Sequence, residues 1–478
     1  MRYSCYSRCV NEGQLIRTLT STNVWWRRAD WERDDRDLRG LAASPFEYAP
    51  QPLEDIAPRG LYVLRGPRRV GKSVEVKRAV AELIHRGVDP RRILHFACDE
   101  LARGDLGRLV RVGRDVLTRG VDGPRYWFLD EITSVKGWPA AIKNLRDTTA
   151  LAEDCVVLTG SSARDLDDAR KELAGRRGPV RDSDRLLLPM SFRAFTRALG
   201  MADVPQLPAI SARRFVERET EDAIHELIPW LDQLATVWEL FVRVGGYPRA
   251  VTDQLNHGRV QPDFVNALWD VVSGDALRAA DMPAAAAHAL LVRLTKNLAS
   301  PLNMSAVAEE IGVASHETAA GRVRALVNSY IAWPCHQRGD HNLPNLDARS
   351  KYYFTDPLFA WIANARLDQS PQPEASRLTE QQIGLALLRQ LEAEQPGTYA
   401  DFTSAMYVKT STKEVDFAGP RIGRLGFEGK YVDGGWKQEA VTVRSQFGRG
   451  VLATRSILDV SGDVWAVPAA LVGWLLNE

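Results

Sequence analysis

Gly66-Pro67-Arg68-Arg69-Val70-Gly71-Lys72-Ser73 is the stretch that decides the fold of this chain. It fits G-x-x-x-x-G-K-[ST], and each fixed position has a chemical reason. Glycines at 66 and 71 allow backbone angles that strain other residues, so that amide N–H groups can turn toward a phosphate. A helix opening at the loop adds its positive end to the same anion. Lys72 is expected to reach the β- and γ-phosphates, and the Ser73 hydroxyl to ligate magnesium. Residues 66–73 are thus the candidate nucleotide loop, with ATP and Mg2+ as the expected ligands.

The flanks carry the same message. Leu61-Tyr62-Val63-Leu64 reads as a buried strand before the loop, and Ser73 to His85 as the helix after it. Strands at Arg92–Ala97, Tyr126–Leu129, Cys155–Leu158 and Arg185–Leu188 alternate with helices at Leu106–Leu117 and Pro139–Leu151. Such alternation predicts an α/β protein of the P-loop type, a parallel sheet covered by helices on both faces. Tyr126-Trp127-Phe128-Leu129-Asp130-Glu131 is an apolar strand ending in two carboxylates. The carboxyl ends of parallel strands face the ligand crevice. Asp130 is therefore expected to hold magnesium with Ser73, and Glu131 to polarise the attacking water. Thr159, Ser161 and Ser162, after the fourth strand, are all candidates to sense the γ-phosphate, with Ser161 the expected nucleotide contact. Arg176 and Arg177, in Ala174-Gly175-Arg176-Arg177-Gly178, are candidates for a finger on a neighbour's nucleotide.

Taken together, the loop, Leu129-Asp130-Glu131-Ile132 with Gly137-Trp138, Leu158-Thr159-Gly160-Ser161-Ser162, Leu173-Ala174-Gly175-Arg176 and Pro189-Met190-Ser191-Phe192 resemble the archaeal-type AAA+ ATPases of bacteria and archaea. Gly245-Gly246-Tyr247-Pro248 is similar to a further signature of that family. The resemblance covers most of the chain from about residue 50. It implies Glu131 as catalytic and Arg176 as the finger, a winged helix further on, and a C-terminal domain related to restriction endonucleases. It also implies a homo-oligomer, because a neighbour's arginine completes such a site.

Beyond the core, residues 201–285 show helical periodicity without strand signals. Pro301 to Val313, followed by a helix from Glu317 to Val327 capped by Ser315, is a helix-turn-helix pattern. His336 to Asn345 would be its wing and Lys351 to Thr355 the returning strand. Arg322 and Arg324 on the second helix are the candidate DNA contacts. Residues 361–378 read as a linker. Further on, Asp416 and the Glu428-Gly429-Lys430 triplet fit the D…E-x-K arrangement of restriction-type nucleases, with Val415 rather than proline before Asp416. Asp416 and Glu428 on adjacent strands would hold a second divalent cation, Lys430 would activate water, and Glu380 on the preceding helix would complete the site.

The expected organisation is a helical lead-in (1–50), an AAA+ core (51–200), a helical connector (201–285), a winged helix (286–370) and a nuclease-like domain (371–478). Lys and Arg (62) nearly balance Asp and Glu (61), so net charge gives no support for a nucleic-acid partner and DNA binding would need a local patch. Five scattered cysteines, Cys5, Cys9, Cys98, Cys155 and Cys335, argue against a disulfide framework. No apolar run reaches membrane-spanning length, and a cytoplasmic location is expected. The function expected is an ATP-hydrolysing, DNA-associated protein with a nuclease-like effector; the alternative is a nucleotide-controlled interaction switch carrying an inactive nuclease fold.

Overall fold

The computed structural model describes residues 11–99, 101–162, 169, 171–180, 182–276, 282–366, 372–396, 404–410 and 413–477. Cys5 and Cys9 lie outside them. The chain divides into two compact units, one of Met1–Ser44 with Ala49–Leu187 and one of Pro45–Tyr48 with Leu188–Glu478.

The first unit is built on five strands: β1 (Leu61–Arg65), β2 (Ile93–Ala97), β3 (Tyr126–Asp130), β4 (Cys155–Gly160) and β5 (Asp184–Leu186). Their order is β2-β3-β4-β1-β5, and every pair is parallel. β1 is buried along its whole length, as its unbroken apolar run requires of a strand covered on both faces. The predicted helix after the loop is Lys72–His85. The helix expected at Leu106–Leu117 runs as an α-helix to Arg111 and continues as a wider turn from Val112 to Leu117.

β2 lies at the sheet edge, where unpaired backbone groups invite pairing with another chain. The lead-in covers that edge. The Asn23 amide accepts from the His95 N–H at 2.6 Å and donates to the His95 carbonyl at 3.0 Å. The Trp25 and Trp26 indoles both donate to the Ile93 carbonyl. In the charge-dense stretch that follows, Asp35 caps the helix Arg36–Ala42 and pairs with Lys77 at 3.3 Å.

The second unit is helical as far as Asn328, with helices that include Leu231–Val244, Pro248–His257, Met304–Glu310 and His316–Asn328. Ser315 caps the last of these through the Thr318 N–H. A hairpin of β6 (Ala332–Cys335) and β7 (Lys351–Phe354) follows. Leu358–Arg366 is a helix rather than linker, because its Leu358, Phe359 and Ile362 are buried. The helix Ala375–Glu394 carries Glu380 and begins inside the stretch 361–378 expected as linker. Five further strands, β8 (Met406–Lys409), β9 (Glu414–Ala418), β10 (Leu425–Glu428), β11 (Arg449–Thr454) and β12 (Val464–Pro468), form a sheet in the order β12-β11-β10-β9-β8. β8, β9 and β10 pair antiparallel, while β10, β11 and β12 pair parallel, with the helix Trp436–Phe447 crossing from β10 to β11. The expected wing does not stand free. The Arg338 N–H donates to the Tyr407 carbonyl at 2.8 Å and the Tyr407 N–H to the His336 carbonyl at 3.0 Å, which joins the hairpin to β8.

Gly245-Gly246-Tyr247-Pro248 is a packing joint inside this unit. The Asp356 carboxylate accepts from the N–H groups of Gly246 (2.7 Å) and Leu358 (2.9 Å). A Cβ on Gly245 would fall 2.0 Å from that carboxylate, and one on Gly246 would fall 2.3 Å from the Met190 carbonyl. Only glycines let the three segments meet so closely. No helix among the described residues is long and apolar enough to cross a membrane.

Candidate functional site

In the first unit the parallel strands deliver the predicted residues to one place. The loop leaves β1 at Gly66, whose φ is 150° and where a Cβ would lie 2.0 Å from the Leu187 carbonyl, so this position needs glycine. Arg69 takes a left-handed φ of 65°, and Gly71 is the residue before the helix. Val70 is buried beneath the loop while Arg68 remains half exposed. Lys72 is buried and donates to the Gly66 and Pro67 carbonyls, both at 2.9 Å. Burial pulls its ammonium down to about 8, against the raising influence of Glu131 and Asp130.

The carboxylates interlock with this loop through hydroxyls. The Ser73 hydroxyl donates to Asp130 Oδ2 at 2.8 Å. Thr159, at the end of β4 between the loop strand and the Asp130 strand, donates to Asp130 Oδ1 and accepts from the Glu131 N–H at 2.9 Å. The Ser161 hydroxyl donates to Glu131 Oε1, and the Arg68 guanidinium lies 4.0 Å from the same oxygen. Glu131 has a left-handed φ of 53°, an uncommon conformation for a residue with a side chain and one that turns it out of the strand. Asp99 is a neighbour the sequence reading missed: burial, then the charge of Glu131, raises its carboxyl above the usual range. Of the open choices at the end of β4, Thr159 touches Asp130 and Ser161 touches Glu131. Arg176 lies on the surface of this unit, its Nε 2.9 Å from both Asp147 oxygens.

A glycine loop at a helix N-terminus, a hydroxyl beside an aspartate and a glutamate one residue on suit a nucleoside triphosphate and a hard cation. Ser73 and Asp130 offer the oxygen donors that magnesium prefers. Fold and site define a P-loop nucleotide-binding domain. Consistent with this, residues 58–196 match the AAA domain family, which supports an ATP-binding ATPase domain here and, in general, ATP and Mg2+ as its ligands. Residues 236–368 match a domain of unknown function (DUF8612). No curated protein matches. Among solved structures, the chain is similar to the Walker-type ATPase PABY2304 of Pyrococcus abyssi (14% identity, 70% of this chain and 95% of that one, TM-score 0.38). It is also similar to the Aeropyrum pernix ORC1 protein solved in complex with DNA (14%, 72% and 96%, TM-score 0.31). A third is the Aeropyrum pernix ORC2 protein (11%, 65% and 89%, TM-score 0.31). Likeness this distant assigns no activity to the chain.

The second unit also gathers predicted residues, together with some that were not predicted. Glu380, Asp416 and Glu428 come together: the Asp416 N–H donates to Glu428 Oε2 at 3.2 Å, and one lysine, Lys351, bridges Glu380 (3.0 Å) and Asp416 (2.8 Å). That lysine also pairs with Glu414 at 2.6 Å, and the Tyr353 hydroxyl donates to Glu380 at 2.5 Å. Burial, with the negative charge of Asp416, pushes the Glu380 carboxyl up to about 8 and raises Glu428 well above its ordinary range. Burial lowers the Lys351 ammonium, but Asp416, Tyr353, Glu380 and Glu414 outweigh it and the net direction is strongly upward. Lys430 pairs with Glu439 at 3.0 Å, and the charges of Glu428 and Asp416 also act on its ammonium. Among the described residues, no group of three or more His, Cys, Asp or Glu side chains is arranged to hold a metal ion. Lys351 sits in a strand that read as the return of a wing. Its one signal was a lysine opening the otherwise aromatic run Lys351-Tyr352-Tyr353-Phe354.

Proposed function

We propose that this chain is an AAA-type ATPase in which Lys72 binds the terminal phosphates, Ser73 and Asp130 hold magnesium, and Glu131 activates the attacking water. The observation that supports this reading best is the linked set Ser73–Asp130–Thr159–Glu131 beside the loop. Magnesium, when bound, would offset phosphate charge. Thr159 fixes Asp130 and the Glu131 backbone. Glu131 presents a carboxylate oxygen that can take a proton from water, with Ser161 orienting it. Arg176 is the proposed finger toward a neighbour in a homo-oligomer, and opening its pair with Asp147 would free it for that. The test is ATP hydrolysis by wild type, Lys72→Ala and Glu131→Gln. Turnover unchanged in Glu131→Gln would remove its role.

For the second unit the proposal is DNA association through the capped helix His316–Asn328, with Arg322 and Arg324, and a restriction-endonuclease-like domain after residue 371. The helix-then-sheet order and the convergence of Glu380, Asp416 and Glu428 support it. Salt-dependent DNA affinity, weakened in Arg322→Ala/Arg324→Ala, is the expected result. Two observations favour the second reading, a nucleotide-controlled interaction switch in a cytoplasmic protein. Lys430 pairs with Glu439, and the would-be wing is tied to the Tyr407 backbone through Arg338 and His336.

A further inference from the structure

We propose that Lys351 is the resident cation of the C-terminal carboxylate centre, standing where a nuclease of this topology would hold a divalent metal. The centre is then a structural joint. This rests on the restriction-endonuclease-like reading given above.

The ammonium has three N–H donors. Two of them go to Asp416 and Glu380, at 2.8 and 3.0 Å, and Glu414 lies 2.6 Å from the ammonium as a third ion-pair partner. Two of those partners, Asp416 and Glu380, are the residues expected to ligate metal. Two further oxygens are also engaged: Asp416 Oδ2 accepts from the Gly429 N–H at 2.9 Å and Glu428 Oε2 from the Asp416 N–H at 3.2 Å. A cation entering here would have to displace the lysine and compete with two backbone donors.

A lysine among carboxylates can instead be catalytic, if it reaches water and the scissile phosphate. Lys351 cannot, because its side chain is 1% exposed. Nor does it sit on a loose arm. Trp333 and Tyr353 of the hairpin lie 4.8 Å apart, and both pack on Phe417 of β9 at 6.3 and 5.8 Å. The Phe354 N–H donates to the Gln381 side chain at 3.0 Å. Moving the strand that carries the lysine would strip these rings from the core, so the hairpin is a fixed support for Lys351 rather than a gate. A buried cluster of acids is tolerable only with a compensating charge; here the chain supplies it from a strand 65 residues before Asp416.

The test is Mn2+ titration of the full chain, followed by the free-ion electron paramagnetic signal. An Asp130→Asn background keeps the nucleotide site out of the count. The parent is expected to show no binding that depends on Asp416. Lys351→Met is expected to gain saturable Mn2+ binding and to lose it again with Asp416→Asn. Binding by the parent that disappears on Asp416→Asn overturns the inference, and that pair decides even if Lys351→Met fails to fold. Plasmid cleavage separates the two layers. Lys351→Met that binds Mn2+ yet cuts nothing keeps the resident cation and sinks the nuclease-like reading. Wild type that cuts with Mn2+ and stops cutting in Lys351→Met makes the lysine catalytic, which also overturns the inference.

Discussion

Two buried lysines sit at the two candidate centres of this chain, and their surroundings have opposite consequences. Lys72 touches only the carbonyls of its own loop, and its ammonium is pulled down to about 8. Lys351 touches three carboxylates, and its ammonium is driven strongly upward. Neutral carbonyls leave most of the field of a positive charge intact, so Lys72 can still attract a polyanion. Three carboxylates cancel that field, and in a low-dielectric interior little is left to act on a ligand. A lysine beside acids is thus not in itself a sign of chemistry; what decides is whether its charge is already spent within the fold.

The largest effect should come from breaking the first centre. Lys72→Ala removes the cation but leaves the hydroxyl-carboxylate set. ATP turnover should fall on the order of 10²- to 10³-fold, the usual cost of losing one electrostatic contact to the reacting group. Glu131→Gln keeps the Ser161 contact and should fall by about 10²- to 10⁴-fold while nucleotide binding persists. Turnover and nucleotide affinity measured together separate the two variants. Equal loss of affinity in both would mean that Glu131 holds the loop rather than the water.

The second centre should answer in stability rather than rate. Lys351→Met leaves acids buried without their cation, which typically costs about 3–5 kcal/mol. Adding Glu380→Gln and Asp416→Asn should recover much of that loss, since replacing a whole buried ion cluster is often neutral. Urea unfolding of the three proteins is the measurement. ATP hydrolysis, assayed alongside, should stay at the wild-type level. A single variant no less stable than wild type would break the comparison.

These contrasts also explain what the sequence made legible. The ATPase core was readable because each of its chemical residues ends a short, fully buried apolar strand, so that Asp130 and Thr159 had to arrive at the same edge as Gly66. Local spacing carries that information. The edge cover was not readable in this way: Asn23, which makes two hydrogen bonds to the His95 backbone, has no local spacing that ties it to β2. A smaller prediction follows. Asn23→Ala leaves the His95 N–H without a partner at the sheet edge, and should cost about 1–3 kcal/mol, read as a lower unfolding midpoint. In the second unit, order along the chain brought out Asp416, Glu428 and Glu380. Lys351 showed only as a lysine opening an aromatic run, because its partners are fixed by tertiary packing of a hairpin against a sheet, which no local pattern encodes. For the same reason Lys430, in register with the motif, turned out to face Glu439.

A pH-dependent effect concerns a buried acid that has no lysine in its place. Asp356 is buried, and its two hydrogen bonds come from backbone N–H groups. Burial raises its carboxyl to about 7, although the N–H bonds of Gly246 and Leu358 and the charge of Arg389 pull the other way. In the unfolded chain an aspartate titrates near 4, about the reference value. Between those two values the folded state holds a proton that the unfolded state has released, so stability must decline as pH rises. The contribution is complete below about pH 4, is lost progressively toward pH 7, and is flat above that. Its upper bound is roughly 4 kcal/mol, and relaxation around the Gly245-Gly246 joint should reduce it. Asp356→Asn cannot titrate, so its stability should change less with pH across that window than the wild type's. Urea midpoints at several pH values between 4 and 7 provide the check. Parallel pH dependences in the two proteins would mean that the backbone donors keep Asp356 ionised throughout, and that a buried acid here needs no cation at all.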